Sequence, residues 1–432
     1  MYKSVLKHSL VLGIGAAIGR VFPYAFIFWV ANRLTHVEYN TVSAIFMWST
    51  FISTVIGLGL STVMTQRVSQ EKSKEQAHKI ATAYYQILVF GLLLAAIASY
   101  LLGNAVFELL FSTAVIRGVY IPAVLAGLGW PQLMFFIAVA NANRMGVAAS
   151  TMAASGGIFQ GFGMLVGYLI DPQAVQGTLW GLAISSVIAA VLGYVILIRS
   201  GIDLLGNWSK EGLKCLRYAF PDFRPIAINT FSSWAVMPVG FLAGSYISRA
   251  SNGQVELAQY YFLEQISQFI VYFPALLGQV LMPYISRQYH TSEEDKSKFI
   301  LLALRVVGAL LFVAVITSVI TATFDRDLIR MLGSSHLNED SLRAARLMLF
   351  NALLTLPLTV LGATINGTGS LKFGGIVNII WGSCVIATCM TIPEGGNFSF
   401  QLARVVASIS IIVLSALFLM AKSNKICREL GK

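Results

Sequence analysis

The sequence predicts an all-α membrane protein of about twelve transmembrane helices in two six-helix lobes, with both termini on the cytoplasmic side. Three observations predict it. The chain has a mean hydropathy of +0.74, with 56% hydrophobic and 11% charged residues. Soluble domains carry about 25% charged residues, so this chain cannot cover itself with solvated side chains. Apolar runs of roughly 20 residues recur along it, the length that crosses about 30 Å of hydrocarbon at 1.5 Å per residue. The Lys and Arg residues collect in alternate short connections, about 20 on one side and about 7 on the other, which puts the richer side in the cytoplasm.

In chain order, a basic lead with Lys3 and Lys7 precedes span one, Leu10 to Ala31. Its apolar run exceeds a signal-peptide core and is read as a retained helix. Span two, Asn40 to Met64, gives way to the charged loop Arg67 to Lys79. Span three is Ile80 to Leu102, and Gly103 to Arg117 is a mildly apolar connection suited to an interfacial helix. Span four, Gly118 to Ala140, turns through Asn141 to Gly146 into span five, Val147 to Ile170. Asp171-Pro172 opens the next turn, and span six is Thr178 to Ile198.

The basic segment 199–224, with Trp208 as an interface anchor, reads as a cytoplasmic linker between an N-lobe, 1–198, and a C-lobe, 225–432. Span seven is Pro225 to Ile247. Span eight, Glu256 to Ser286, contains Pro274 and Pro283, which favour kinks. Spans nine to twelve follow at Phe299–Phe324, Leu347–Ile365, Phe373–Ile392 and Phe400–Ala421. The halves echo one another. Val63 to Ser69 closes span two as Val280 to Ser286 closes span eight, half a chain later, and polar turns follow spans four and ten. Parallel repeats of this kind place an axis along the membrane normal and a site between the lobes.

The net charge of +11 fits loops beside anionic lipid. No basic stripe is interleaved with aromatics, so nucleic-acid binding is not expected. The four cysteines form no C-x-x-C, and the five histidines are scattered, so no metal site, cofactor or disulfide framework is expected. No nucleophile–base set or large extramembrane segment suggests an enzyme.

Three cations lie within spans. Arg20 sits about ten residues from either end of span one, ~15 Å deep. From there it cannot snorkel, and on insertion scales its placement costs ~2.5–3.5 kcal/mol, so it must face protein, water or an anion. With Tyr24 one turn on, it is a candidate anchor for a phosphate, which a guanidinium grips through paired hydrogen bonds. A structural ion pair or helix–helix hydrogen bond is the plainer alternative. Gly15 and Gly19 on the preceding turns allow a close neighbour. Arg305 and Arg404 lie nearer span ends and can snorkel, with Arg305 kept as a second substrate-binding candidate.

Glu264 is the acidic residue most clearly inside a span. Tyr260, Glu264, Ser267 and Gln268 share one helical face, and such a polar stripe faces a cavity or partner helices. Glu264 and Gln268 are candidates for coupling or gating. Glu264 could bind a cation or pair with Arg20 in one state, or simply serve a tyrosine or glutamine. Gln160, Asn229, Asn351 and Asn378 read as interhelical hydrogen-bond partners.

The end of span two, IGLGLSTVMTQRVSQ, and the turn NGTGSLKFGGIVN after span ten resemble the corresponding stretches of the multidrug/oligosaccharidyl-lipid/polysaccharide (MOP) exporter superfamily. The chain is most similar to its bacterial Wzx-type O-antigen flippases. The resemblance implies a multi-pass protein of the bacterial cytoplasmic membrane. It would translocate undecaprenyl-diphosphate-linked oligosaccharides by alternating access, through a cationic cavity that fits Arg20. It further implies membrane lipid, an H+ or Na+ gradient and a polysaccharide polymerase complex as partners. A cation-coupled antiporter of drugs or metabolites, like the multidrug (MATE) members, is the alternative. Those often carry a carboxylate in the first-lobe helices, where this chain has Arg20.

Overall fold

In the computed structural model, residues 2–31, 33–111, 120–171, 175–222, 252–291, 296–332, 341–392 and 396–430 are described, together with single positions between 224 and 250. Among these the chain is helical, without strands. The first six long helices are α1 (Tyr2–Ala31), α2 (His36–Gln70), α3 (Lys74–Phe111), α4 (Tyr120–Ala142), α5 (Gly146–Ile170) and α6 (Val175–Arg199). A short α7 (Leu204–Glu211) and two 3₁₀ turns, Gly212–Tyr218 and Phe220–Asp222, lead on. Five more long helices follow: α8 (Gly253–Thr291), α9 (Lys296–Leu332), α10 (Ser341–Gly367), α11 (Leu371–Thr391) and α12 (Asn397–Leu430). Nine helices are long and apolar enough to cross a membrane, among the described residues. These nine lie on the expected spans one, three to six and nine to twelve; α2 and α8 run through the expected spans two and eight without being among the nine, and the expected seventh span falls mostly outside the described residues. So do the side chains of Pro274 and Pro283.

One expectation about a connection is corrected. Gly103 to Phe111 is not a separate interfacial helix but the continuation of α3, because nothing in Gly-Asn-Ala-Val-Phe-Glu-Leu-Leu-Phe stops a helix once it is propagating. Residues 199–222, the described part of the segment read as a linker, form short helical turns. Asp203 caps α7 by accepting from Gly206 N at 2.8 Å, and its carboxylate also accepts from Tyr194 Oη. Trp208 meets the rings of Tyr85 and Phe90 on α3. Gln86 donates to Gly212 O at 2.9 Å, and Asp222 accepts from Tyr84 Oη and Arg67 Nε, both at 2.9 Å. The segment is therefore folded against α2 and α3.

The chain forms two compact units: Met1–Ile27 with Thr41–Met237, and Phe28–Asn40 with Pro238–Lys432. In the first unit, α5 is a small-residue spine. A side chain at Gly157 would strike the backbone of Gly19, and one at Gly161 would strike Phe22 and Pro23, so α1 lies backbone to backbone on α5. On its other side Gly163 and Gly167 meet Gly181 and Gly177 of α6 in the same way. Such stripes replace the hydrophobic drive that lipid does not supply between helices. Tyr85, Leu133, Phe135, Phe136 and Met152 fill the core behind them.

The second unit is built on α8, α9, α10 and α12, whose Tyr289, Ile300, Val307, Leu354, Leu361, Val405, Ile412 and Leu419 share one apolar cluster. Asn351 accepts a buried hydrogen bond from Ser408 Oγ at 2.8 Å, the interhelical role expected of it. The residue 28–40 connection joins this unit through Phe28 against Phe262 and Asn40 Nδ2 on Gln254 Oε1 at 2.9 Å. The Glu256 carboxylate receives the backbone N–H of Asn397 at 2.9 Å where α12 begins, a negative group at the positive end of a helix.

Candidate functional site

Among the described residues, Arg20 in the first unit and Arg404 in the second are helix arginines that meet other side chains. In the first, Arg20 is half-buried on α1, one residue past Gly19. Because Gly19 presses on Ala153 of α5, the register of α1 is fixed and the next residue points beside that contact. The guanidinium stands over the ring of Trp130 on α4, 5.6 Å from its centroid, and over Tyr24, 5.9 Å away. Tyr24 is 5% exposed and so holds its own place. Cation–π contacts of this kind contribute about 0.5–2 kcal/mol, rising as water is excluded. Arginine binds ring faces with its own face, while its five N–H donors lie in the guanidinium plane. Such a group can be held by aromatics and still bind carboxylate or phosphate oxygens edge-on. Arg20 and Tyr24, paired from the sequence, are thus in contact. Sequence reasoning misses Trp130, which no helical spacing connects to Arg20.

In the second unit, Glu264 on α8 meets Arg404 on α12. Glu264 Oε2 accepts from Arg404 Nη1 at 2.5 Å and Oε1 accepts from Nη2 at 3.4 Å. The two side chains are only 12% and 14% exposed. Gln268 Nε2 donates to Glu264 Oε1 at 2.8 Å, and Gln401 Oε1 accepts from Arg404 Nη1 at 3.4 Å. Phe400 lies beneath the guanidinium, with Tyr260 edge-on to that ring. Arg404 therefore does not snorkel, contrary to its position near a span end. Its charge is met by a carboxylate inside the bundle, and two charges that far from water persist only because they are paired and hydrogen-bonded. Of the expected stripe Tyr260, Glu264, Ser267 and Gln268, Tyr260 and Glu264 meet α12, while Gln268 is exposed and bonds Glu264.

Arg305 takes neither arrangement. It is exposed on α9, beside Leu301, Leu302 and Val306, which are 41–45% exposed. Gln160 is buried on α5, and Asn229 lies outside the described residues. Among the described residues no three His, Cys, Asp or Glu side chains converge as metal ligands.

A family model described as polysaccharide biosynthesis protein matches residues 5–289. The EPS I polysaccharide export inner membrane protein EpsE of Ralstonia nicotianae is 25% identical over 294 residues, 66% of this chain, and the match spans 64% of that relative's length. Among solved structures, the Vibrio cholerae MATE transporter VcmN in its bent form superposes with a TM-score of 0.69 at 13% identity, over 98% of this chain and 99% of its own. An outward-facing multidrug resistance MATE family transporter of the MOP superfamily gives 0.73 at 14%, over 99% and 96%. A MOP superfamily transporter from Pyrococcus furiosus, whose structure is described by a reversed polarity of its binding pocket, gives 0.69 at 14%, over 98% and 96%. The fold is that of these transporters.

Proposed function

The chain belongs to the polysaccharide biosynthesis protein family, and from that premise we propose that it is a flippase for an undecaprenyl-diphosphate-linked oligosaccharide in the bacterial inner membrane. It works by alternating access of an N-lobe and a C-lobe, as a transporter and not an enzyme. The observation that carries this reading is Arg20, a guanidinium held by Trp130 and Tyr24 midway along a membrane helix. A diphosphate with several sugars cannot enter hydrocarbon unaided, since each charge would lose its hydration there. A guanidinium within the membrane offsets that loss, while the polyprenyl tail remains in lipid. EpsE's part in polysaccharide export supports the same cargo class.

Arg305 is proposed as a contact for the same head group nearer the membrane surface. Glu264 and Gln268 are proposed to gate or couple, with the Arg404 pair exchanging partners when H+ or Na+ binds. A polysaccharide polymerase is the natural acceptor of the product.

The fold shared with drug transporters favours a second reading, export of organic cations. An arginine where such a carrier would want a carboxylate favours an anionic head. Reconstitution into liposomes with a fluorescent undecaprenyl-diphosphate oligosaccharide separates the readings. Protein-dependent transfer of the glycan to the opposite leaflet is expected, with no movement of a cationic dye. Dye transport without glycan transfer would establish the second reading instead.

A further inference from the structure

A pocket of about 450 Å³ opens between the α4–α5 turn, the start of α5 and the end of α6 in the first unit. Two arginines line it, Arg144 from the α4–α5 turn and Arg199 from the last turn of α6, both exposed. Its other walls are mixed. Thr151 and Ser200 supply hydroxyls, whereas Val147 and Ile196 are apolar. Arg199 makes no hydrogen bond or ion pair among the described residues. The backbone that sets the other arginine is unusual, with Arg144 at a φ of +59°.

The second unit provides an internal comparison. By order along the chain, the turn between α10 and α11 corresponds to the α4–α5 turn, and α12 corresponds to α6. Lys422 of α12 donates to Thr368 O at 3.0 Å and Ser370 Oγ at 2.7 Å, and lies over Tyr289. The cation of the final helix is consumed by the turn. In the first unit the corresponding cation, Arg199, makes no such bond among the described residues and shares a cavity with the turn instead.

We propose that this pocket is a binding site for the phosphate of an anionic membrane lipid. Two guanidiniums suit phosphate oxygens in charge and in planar donor geometry. The pocket lies at the ends of membrane helices, where a bilayer places its head groups, and basic pockets between such helices collect anionic lipid. The apolar wall at Val147 and Ile196 accepts the first methylenes of the chain. Either a phospholipid or the polyprenyl diphosphate of the proposed cargo presents this chemistry. The site itself does not depend on that cargo.

The test is native mass spectrometry and thermal shift of the full chain in a zwitterionic detergent, titrated with phosphatidylglycerol, phosphatidylethanolamine, undecaprenyl diphosphate or inorganic phosphate. Phosphatidylglycerol is expected to be retained and stabilising, and retention is expected to fall about fivefold for each arginine removed, in Arg199→Gln and in Arg144→Gly, whose φ glycine accepts. Lys422→Gln is expected to leave retention unchanged. Undecaprenyl diphosphate displacing phosphatidylglycerol would identify the cargo as the occupant, and failure to displace it would identify a structural phospholipid. Equal retention of phosphatidylethanolamine, equal protection by inorganic phosphate, or retention indifferent to both arginines would overturn the proposal. None of these outcomes depends on whether glycan is flipped.

Discussion

Glu264 and Arg404 show how a membrane interior treats charge one residue at a time. Removing one partner of a buried pair leaves the other uncompensated, at a cost of about 3–5 kcal/mol, whereas replacing both with apolar groups is often neutral. Arg404→Leu alone should therefore destabilise the detergent-solubilised protein by that amount, and Glu264→Met with Arg404→Leu should recover most of it. Thermal unfolding of the two single variants and the double variant measures this. Additive losses would mean that the contact contributes nothing as a pair. The pairing could not be read from the sequence because 140 positions separate the partners. The local half, Gln268 on Glu264 one turn away, was legible from helical spacing. Trp130 at Arg20 is hidden for the same reason, since no period links α1 to α4, whereas Tyr24 lies within a turn.

At the scale of elements, the glycines of α5 and the fold of residues 199–222 carry the first unit. Gly157→Val would push α5 off the Gly19 backbone. Overpacking of this kind costs about 1–3 kcal/mol, and the melting temperature of purified protein should fall, while Gly13→Val, with open space around it, should leave it unchanged. The segment after α6 is anchored by Asp222, which is 8% exposed and accepts from both Arg67 and Tyr84. Asp222→Ala should release it, so that trypsin cuts at Lys214 and Arg217 sooner than in the wild type. Equal cleavage rates would show that the anchor lies elsewhere. Composition makes this stretch look like a linker because it is basic and polar. The Asp203 cap and the aromatic contacts of Trp208 fold it, and only the first of these has a local signature.

At the scale of the molecule, hydropathy places the membrane helices well, since crossing a bilayer demands about 20 apolar residues whatever the neighbours are. Helix ends are less legible. α3 and α9 run on past the apolar stretch to Phe111 and Leu332, because hydrophobicity reports the lipid boundary and not where backbone hydrogen bonding stops. What the helices carry was legible only as candidate charges. Among those charges Arg20 is the one we propose to hold an anionic head group within the membrane. The most direct measurement is the rate of glycan transfer in liposomes for Arg20→Gln and Arg20→Lys, beside their melting temperatures. Transfer should fall at least about tenfold in Arg20→Gln, as loss of a charged hydrogen-bonding anchor of about 1.5–3 kcal/mol implies, and part of it should return with lysine, both variants remaining folded. Undiminished transfer by folded Arg20→Gln would contradict it.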